Sequence, residues 1–385
     1  MTQPLSSRLP DVGTTIFTVM SALAQKHGAV NLGQGFPDFD CDPALLDAVN
    51  QAMRDGANPH PNQYAPLAGV PLLRQTISAK IAARDAHVYD AEQEITVTAG
   101  ATQALFTAIL AVVHPGDEVI VIEPAYDSYI PAIRLAGGVP VPVTMTADYR
   151  IDWDAVHRAC SPRTRLLIIN SPHNPSGSVL QPEDIRALEA LAERSPLLIL
   201  SDEVYEHMVY DGAPHLSLAQ SPALASRSFI VSSFGKTCHV TGWKIGYCAA
   251  PAALMHEFRK VHQFNVFCVN TPMQLGLAHY LQDPQPYVQL PQFYQAKRDH
   301  FCAGLARTRL TPLPCAGTYF QVVSYAGISE LPEHEFAQWL TREIGVAAIP
   351  LSAFYQRPQE RQAVRFCFAK KESTLDAALE RLKTI

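Results

Sequence analysis

With 385 residues, the chain is long enough for a large core and for two domains. Hydrophobic residues make up 48% and charged residues 17%, ordinary for a soluble globular enzyme. The net charge of −6 offers no basic surplus for nucleic acid and no acidic tail that would stay disordered.

Residues 1–13 read as an irregular arm. Thr14 to Lys26 follows with Ile16, Phe17, Met20, Leu23 and Ala24 on one helical face. Asn31 to Phe39 is a loop punctuated by Gly and Pro. Gly35 there is either a turn glycine or a place where a substrate approaches the backbone, since it lacks a Cβ. Pro43 to Asp55 reads as a helix, and another starts near Val70. Between them Asn62-Gln63-Tyr64 is a loop, with Tyr64 a partly buried aromatic on composition alone. Ile95–Thr98 is a strand by its β-branched content. It leads through the small residues Gly100, Ala101 and Thr102 to a helix, Ala104 to Val113. Such a turn exposes N–H groups at a helix start, a natural phosphate seat, although many strand–helix turns look the same. Strands at 118–122, 139–143, 165–169 and 197–200 alternate with helices at 152–159 and 183–194. Alternation from 95 to about 250 predicts an α/β domain with a mostly parallel sheet. Helices are expected at 251–263, 271–281, 291–305 and 335–343, with a break at 283–286. The expected strands of this part are 317–323 and 363–368, with a strand and loop at 346–352.

Three apolar runs end in polar residues suited to one cofactor. Phe229-Ile230-Val231 leads to Ser232, Ser233 and Lys236, with Lys244 eight residues on. Leu197 to Leu200 leads to Asp202, and Leu166 to Ile169 leads to Asn174. Taken singly, Lys236 could be a surface lysine, Asp202 a helix cap, and Asn174 part of a simple turn. Together they would lie at the carboxyl ends of strands, where open α/β sheets bind ligands. Pyridoxal phosphate needs this set: an amine for its aldehyde, an acid for its ring nitrogen and donors for its phosphate. Arg365 sits mid-strand among apolar residues. A buried guanidinium needs an anion, either a protein carboxylate or a substrate one gripped bidentately.

Asn174-Pro175, Asp202 with Tyr205, Ser233-x-x-Lys236 and Lys244 resemble the class I/II pyridoxal-phosphate aminotransferases of fold type I, over residues 14 to 380. Asn31 to Phe39, Asn62 to Pro66, Phe234 to Thr237 and Arg365 to Lys371 are similar to the branch with methionine and kynurenine aminotransferases. The resemblance implies a large cofactor-binding α/β domain at 41–284, its mostly parallel sheet covered by helices on both faces. A smaller α+β domain would comprise 1–40 and 285–385. It makes Lys236, Asp202 and Tyr205 catalytic: the freed Lys236 amine takes the α-proton, Asp202 keeps the ring nitrogen protonated, and two half-reactions run in ping-pong order. Tyr205 and Asn174 would donate to the cofactor's 3-oxygen, and Tyr126 would stack on its ring, where composition alone allows a core aromatic. Gly100, Ala101, Thr102, Ser233 and Lys244 would hold the phosphate. Many relatives carry arginine where this chain has Lys244, so a point charge replaces a fork there. Arg365 would take the substrate α-carboxylate beside Gly35 and Asn174, and Tyr64 would reach the neighbouring subunit's site in a homodimer.

For the substrate side chain, Ile16, Phe17, Tyr64 and Phe354 or Tyr355 suggest an apolar slot, and no second arginine is evident for a dicarboxylate. The resemblance points to methionine as donor, with aromatic amino acids, kynurenine or histidine besides. A C–S lyase acting on cystathionine would need the same cofactor residues and stays open on the motifs. A regulator's sensor domain is disfavoured, because the arm before residue 14 is too short for a helix-turn-helix. The eight cysteines form no C-x-x-C pair, so no metal is expected, and most of them read as small buried residues in a reducing compartment. Cys238, two residues after Lys236, has no evident acid–base partner. The first residues lack the features of a signal peptide. No run reaches the ~18–20 apolar residues of a membrane span, so a cytoplasmic location is expected.

Overall fold

The computed structural model describes residues 5–55 and 60–385. Residues 5–13 form no helix or strand, as expected of an arm; the readings made of residues 1–4 lie outside the described residues. The large sheet has seven strands: β1 (Ile95–Thr98), β2 (Glu118–Glu123), β3 (Val139–Thr144), β4 (Thr164–Asn170), β5 (Leu198–Asp202), β6 (Ser228–Ser233) and β7 (Gly246–Ala249). Their order is β1-β7-β6-β5-β4-β2-β3. All pairings are parallel except those of β7, which runs against both its neighbours.

The burial of each strand follows its place. β2 and β6 are buried along their whole length, as central strands covered on both faces should be. β3 lies at the edge, is partly exposed, and carries Pro140 and Pro142, which an edge strand tolerates because half its N–H groups need no partner. Helices cover the sheet, and their ends are marked chemically. Asp152 caps Trp153–Ala159 by accepting from the Ala155 N–H, and Gln181 and Asp184 cap Pro182–Arg194 reciprocally.

A second, antiparallel sheet is built from β8 (Thr311–Pro312), β9 (Phe320–Ser324), β10 (Ile349–Pro350) and β11 (Ala363–Cys367), in the order β10-β11-β9-β8. The N-terminal segment joins this part of the chain: Val30–Asn31 pairs in parallel with Val346–Ala347. The long helix Leu290–Leu305 touches both parts. Its Arg298 pairs with Asp211 at 2.7 Å, while Gly304 lets it lie against Leu379 of the last helix, Glu372–Leu382.

Several boundaries differ from the sequence expectation. The helix expected from Ala104 begins at Gly100, so the small residues form its first turn rather than a separate loop. The strand expected from Gly317 begins at Phe320, because Thr318 adopts a left-handed φ of 65° and turns the chain. The 346–352 stretch divides between two pairings, one with Val30–Asn31 and one with β11. Proline at 284 and 286 does not merely break the chain, since Gln285–Val288 is a short helix with Pro286 in its first turn.

Candidate active site

Five strand ends converge on one cavity of about 270 Å³. Its walls include Gly35, Gly100, Ala101, Thr102, Tyr126, Asn174, Asp202, Tyr205, Ser233, Lys236, Lys244 and Arg365. Of the residues named from sequence for catalysis, the cofactor and the substrate carboxylate, Tyr64 alone is absent from these walls. It is 83% exposed and meets Phe267 edge to face at 5.4 Å, beside a surface hollow that includes Cys268 to Pro272.

One end of the cavity is made for an anion. The helix Gly100–Val112 points its first turn there, with Ser233 and Lys244 beside it. Unpaired N–H groups and the helix dipole favour negative charge at such a point. Glycines allow the close approach. Gly100 has φ of 75°, and a Cβ on it would lie 3.3 Å from the Lys244 Nζ. A Cβ on Gly246 would lie 2.6 Å from the Ser232 carbonyl oxygen and 3.0 Å from the Ala101 nitrogen.

Asp202 ends β5 fully buried, with no helix to cap. Its Oδ2 accepts from the Tyr129 hydroxyl at 2.6 Å and its Oδ1 from the Val204 N–H at 3.3 Å. Burial pushes its pKa up to about 6 against those two bonds. No cation pairs with it among the described residues, so a cationic ligand atom would be held there. Tyr126 crosses Tyr129 edge to face at 5.7 Å, and its hydroxyl lies 3.4 Å from that of Thr102.

Lys236 rises from the short helix Phe234–Thr237 at the end of β6. Its Nζ donates to the Tyr319 hydroxyl at 2.7 Å and to the Gly35 carbonyl at 3.1 Å. Burial, with Arg365 and Lys244 nearby, holds the amine down to about 8. Such an amine is partly neutral near neutral pH and able to act as nucleophile or base. Cys238 has no such help: burial pushes its thiol up to about 12.

Arg365 lies on β11, opposite Val322 of β9, and is 1% exposed. It has no carboxylate partner among the described residues. Instead Nη1 donates to Asn174 Oδ1 at 2.7 Å and Nη2 to the Gly33 carbonyl at 3.2 Å, while Nε is buried without a partner. Phe320 lies 3.8 Å and Phe354 4.9 Å from the guanidinium. Phe17 meets Phe354 edge to face at 6.0 Å and lines the cavity. Of the apolar residues suggested for the side-chain slot, Phe17 is on the wall and Phe354 behind it; Ile16, Tyr64 and Tyr355 are not on it.

Sequence reasoning missed Tyr129, Asn170, Tyr319 and Phe320. Asn170 lies beside Asp202 in the sheet, and its amide donates to the Asp202 carbonyl while its Oδ1 accepts from the Asn174 N–H. Tyr319 and Phe320 carried no signal in the sequence, since the left-handed φ of 65° at Thr318 that sets them is one a β-branched residue rarely adopts. A buried ionic cluster backs the turn after β5. Glu206 takes Lys80 at 2.7 Å, Tyr247 at 3.2 Å, and also Arg84 and Ser232. On the other side Glu203 takes His215 at 2.9 Å. Tyr205, between these two glutamates, is fixed against Tyr319 at 5.1 Å.

The profile of the family "Aminotransferase class I and II" matches residues 27–382. The chain is 51% identical to the methionine aminotransferase of Escherichia coli (strain K12), over 98% of each chain. It is 42% identical to the probable N-succinyldiaminopimelate aminotransferase of Mycobacterium tuberculosis (strain CDC 1551 / Oshkosh), again over 98% of each. The crystal structure of an Escherichia coli protein with a methionine aminotransferase function superposes with a TM-score of 0.97 at 50% identity, covering 100% of both chains. An amine, an ionisable acid, an anion seat and an unpaired guanidinium around one cavity match that likeness, and the chain belongs to the class I and II aminotransferases.

Proposed function

We propose that this aminotransferase uses pyridoxal phosphate to move the amino group of methionine, and of aromatic amino acids or kynurenine, to a 2-oxo acid. We place it in the cytoplasm as a homodimer. Among the described residues no helix is long and apolar enough to cross a membrane, and no cluster could hold a metal ion. The observation that carries the reading is Arg365: a buried guanidinium without a carboxylate, facing the same cavity as Lys236 and Asp202. Leaving it so is costly unless a ligand supplies the anion.

The residues fit the cofactor. Lys236 would meet its aldehyde, Asp202 its ring nitrogen, and Tyr126 its ring face. Asn174 already spends its Oδ1 on Arg365, which leaves its NH₂ to donate, with Tyr205, to the 3-oxygen. Gly100, Ala101, Thr102, Ser233 and Lys244 take the phosphate. Pyridoxal phosphate bound there supplies an aldehyde and a cationic ring that draws electron density from the substrate's α-carbon. Arg365 and Asn174 then fix the substrate by its carboxylate, beside Gly35. Lys236, as a free amine, would take the α-proton and hand it on to the carbon two bonds from the α-carbon. Asp202 would hold a proton on the ring nitrogen.

The exposed Tyr64, set apart from its own cavity, supports a contribution to a partner's site. The two sheets support a division into 41–284 and the pair 1–40 with 285–385. Lys236, Lys244 and Arg365 are the only cations on the described walls, and all have a role. Among the described residues of this chain's own walls none remains for a side-chain carboxylate, whereas Phe17 and Phe320 suit a thioether or a phenyl ring.

The test is a panel of donors with one 2-oxo acid as acceptor, on protein loaded with the cofactor. Methionine and phenylalanine should be consumed well ahead of aspartate and N-succinyldiaminopimelate. Release of pyruvate and ammonia from cystathionine, with no need for an oxo acid and no turnover of methionine, would overturn the reading in favour of a C–S lyase.

A further inference from the structure

Among the residues without a role so far, Tyr319 stands on the reacting amine itself. The left-handed Thr318 sets it there: the Thr318 N–H donates to the Met208 carbonyl at 2.9 Å, and the Thr318 carbonyl accepts from the Tyr210 hydroxyl. Tyr319 is fully buried. Its hydroxyl donates its one proton to the Gly35 carbonyl at 2.6 Å and accepts from Lys236 Nζ at 2.7 Å. Burial keeps this phenol neutral, its pKa well above the ordinary value. It can therefore offer the lysine only a lone pair.

We propose that Tyr319 is a catalytic residue of the transamination: with the Gly35 carbonyl, its hydroxyl orients the free Lys236 amine so that the nitrogen's lone pair faces the substrate's α-carbon. This rests on the reading of Lys236 as the base. Both acceptors lie on one side of Nζ, the Tyr319 oxygen at 2.7 Å and the Gly35 oxygen at 3.1 Å, and they are only 2.6 Å from each other. With the hydrogens of Nζ drawn to that side, the lone pair of the amine is turned away from it, and in the ammonium the proton just taken sits in its place. The proton passes from the α-carbon to Nζ while the C–H electron pair stays with the substrate and cofactor. The same proton then leaves Nζ for the carbon that receives it. Tyr319 keeps its own proton on Gly35 throughout. The three groups come from the N-terminal segment, the large sheet and the turn before β9, so the base is aimed only when both sheets are in register.

The test is Tyr319→Phe, which removes the hydroxyl and keeps the ring packed on Tyr205 and Phe320, at 5.1 and 4.9 Å. The variant should melt close to wild type. Its kcat for methionine should fall about tenfold, the order expected for loosening a positioned base, with KM changed less than about twofold. The isotope effect on kcat with α-deuterated methionine should rise, because proton transfer becomes slower relative to the other steps. A second readout needs no cofactor. Lys236 of the apoprotein is titrated by its rate of dinitrophenylation against pH, mapped by peptide mass. Cys367, Arg365, Lys244, Asp202 and Tyr205 act on that amine in both proteins. Loss of an acceptor for the ammonium should move the half-point below the wild-type value. An unchanged isotope effect with an unchanged half-point, whatever happens to kcat, would overturn the proposal and leave Tyr319 a packing residue. Failure of the underlying reading looks different: wild type itself would show no oxo-acid-dependent turnover of methionine.

Discussion

At the scale of single residues, the site works by placing ionisable groups where water cannot reach them freely. Lys236→Ala removes the amine proposed to capture the cofactor's aldehyde. We expect that variant to lose the absorbance of lysine-linked cofactor and essentially all transamination; retention of both in a spectral titration and an activity assay would refute the role. Asp202 gives a pH prediction whose sign can be worked out. Burial raises its pKa from an ordinary value near 4 to about 6, so the free protein binds this proton more tightly than the unfolded chain does. The contribution to stability is full below the unfolded value and is lost as pH rises through the folded one. The apoprotein should therefore lose melting temperature between about pH 4 and 6 through this group. Asp202→Asn, which keeps an acceptor for Tyr129, should flatten that stretch and melt higher than wild type at pH 7.5. Cofactor affinity should run the other way: with Asp202 as the proposed partner of the ring nitrogen, it should weaken in wild type on acidification below about pH 6. Lys236, Asp202 and Arg365 were legible in sequence because each is a charged residue at or within an apolar run. Tyr129 and Tyr319 were not, because a tyrosine beside apolar residues looks the same whether its hydroxyl is used or not.

Among elements, β7 is the decisive one. It runs against the sheet between β6, which carries Ser233, and β1, which leads into the Gly100 helix. It thereby closes the anion seat from two segments far apart in the chain. Its first residue has no room for a side chain, since a Cβ would fall 2.6 Å from the Ser232 carbonyl oxygen. Gly246→Val should loosen the seat and weaken cofactor affinity by tenfold or more, read by titrating the apoprotein with pyridoxal phosphate; an unchanged affinity would show the seat to be assembled otherwise. Alternation of strands and helices was readable, because the 2- and 3.6-residue periods follow from backbone geometry. The antiparallel turn of β7 was not, since nothing in four residues reports direction. The Lys80–Glu206 pair was equally hidden, being made across 126 residues of chain.

For the whole molecule, the proposed reach of Tyr64 into a neighbouring chain would make the site a property of two chains. Dilution below the dimer's dissociation constant should lower specific activity as well as total activity, and Tyr64→Phe should weaken cofactor binding without disturbing the fold. Mixing Tyr64→Phe with Lys236→Ala chains checks the sharing directly. In a mixed dimer one cavity combines both defects, and the other keeps an intact lysine with an intact tyrosine from its neighbour. Some activity should return when two impaired preparations are allowed to exchange subunits; no recovery in an assay after exchange would confine Tyr64 to its own chain.

The guanidinium on β11, with its unpartnered Nε, has a consequence for anyone handling this protein. Any small monocarboxylate that enters the cleft meets a ready cation. Acetate or formate buffers should therefore compete with methionine, raising KM and leaving kcat alone, and should protect the empty enzyme against heat more than chloride does at equal ionic strength.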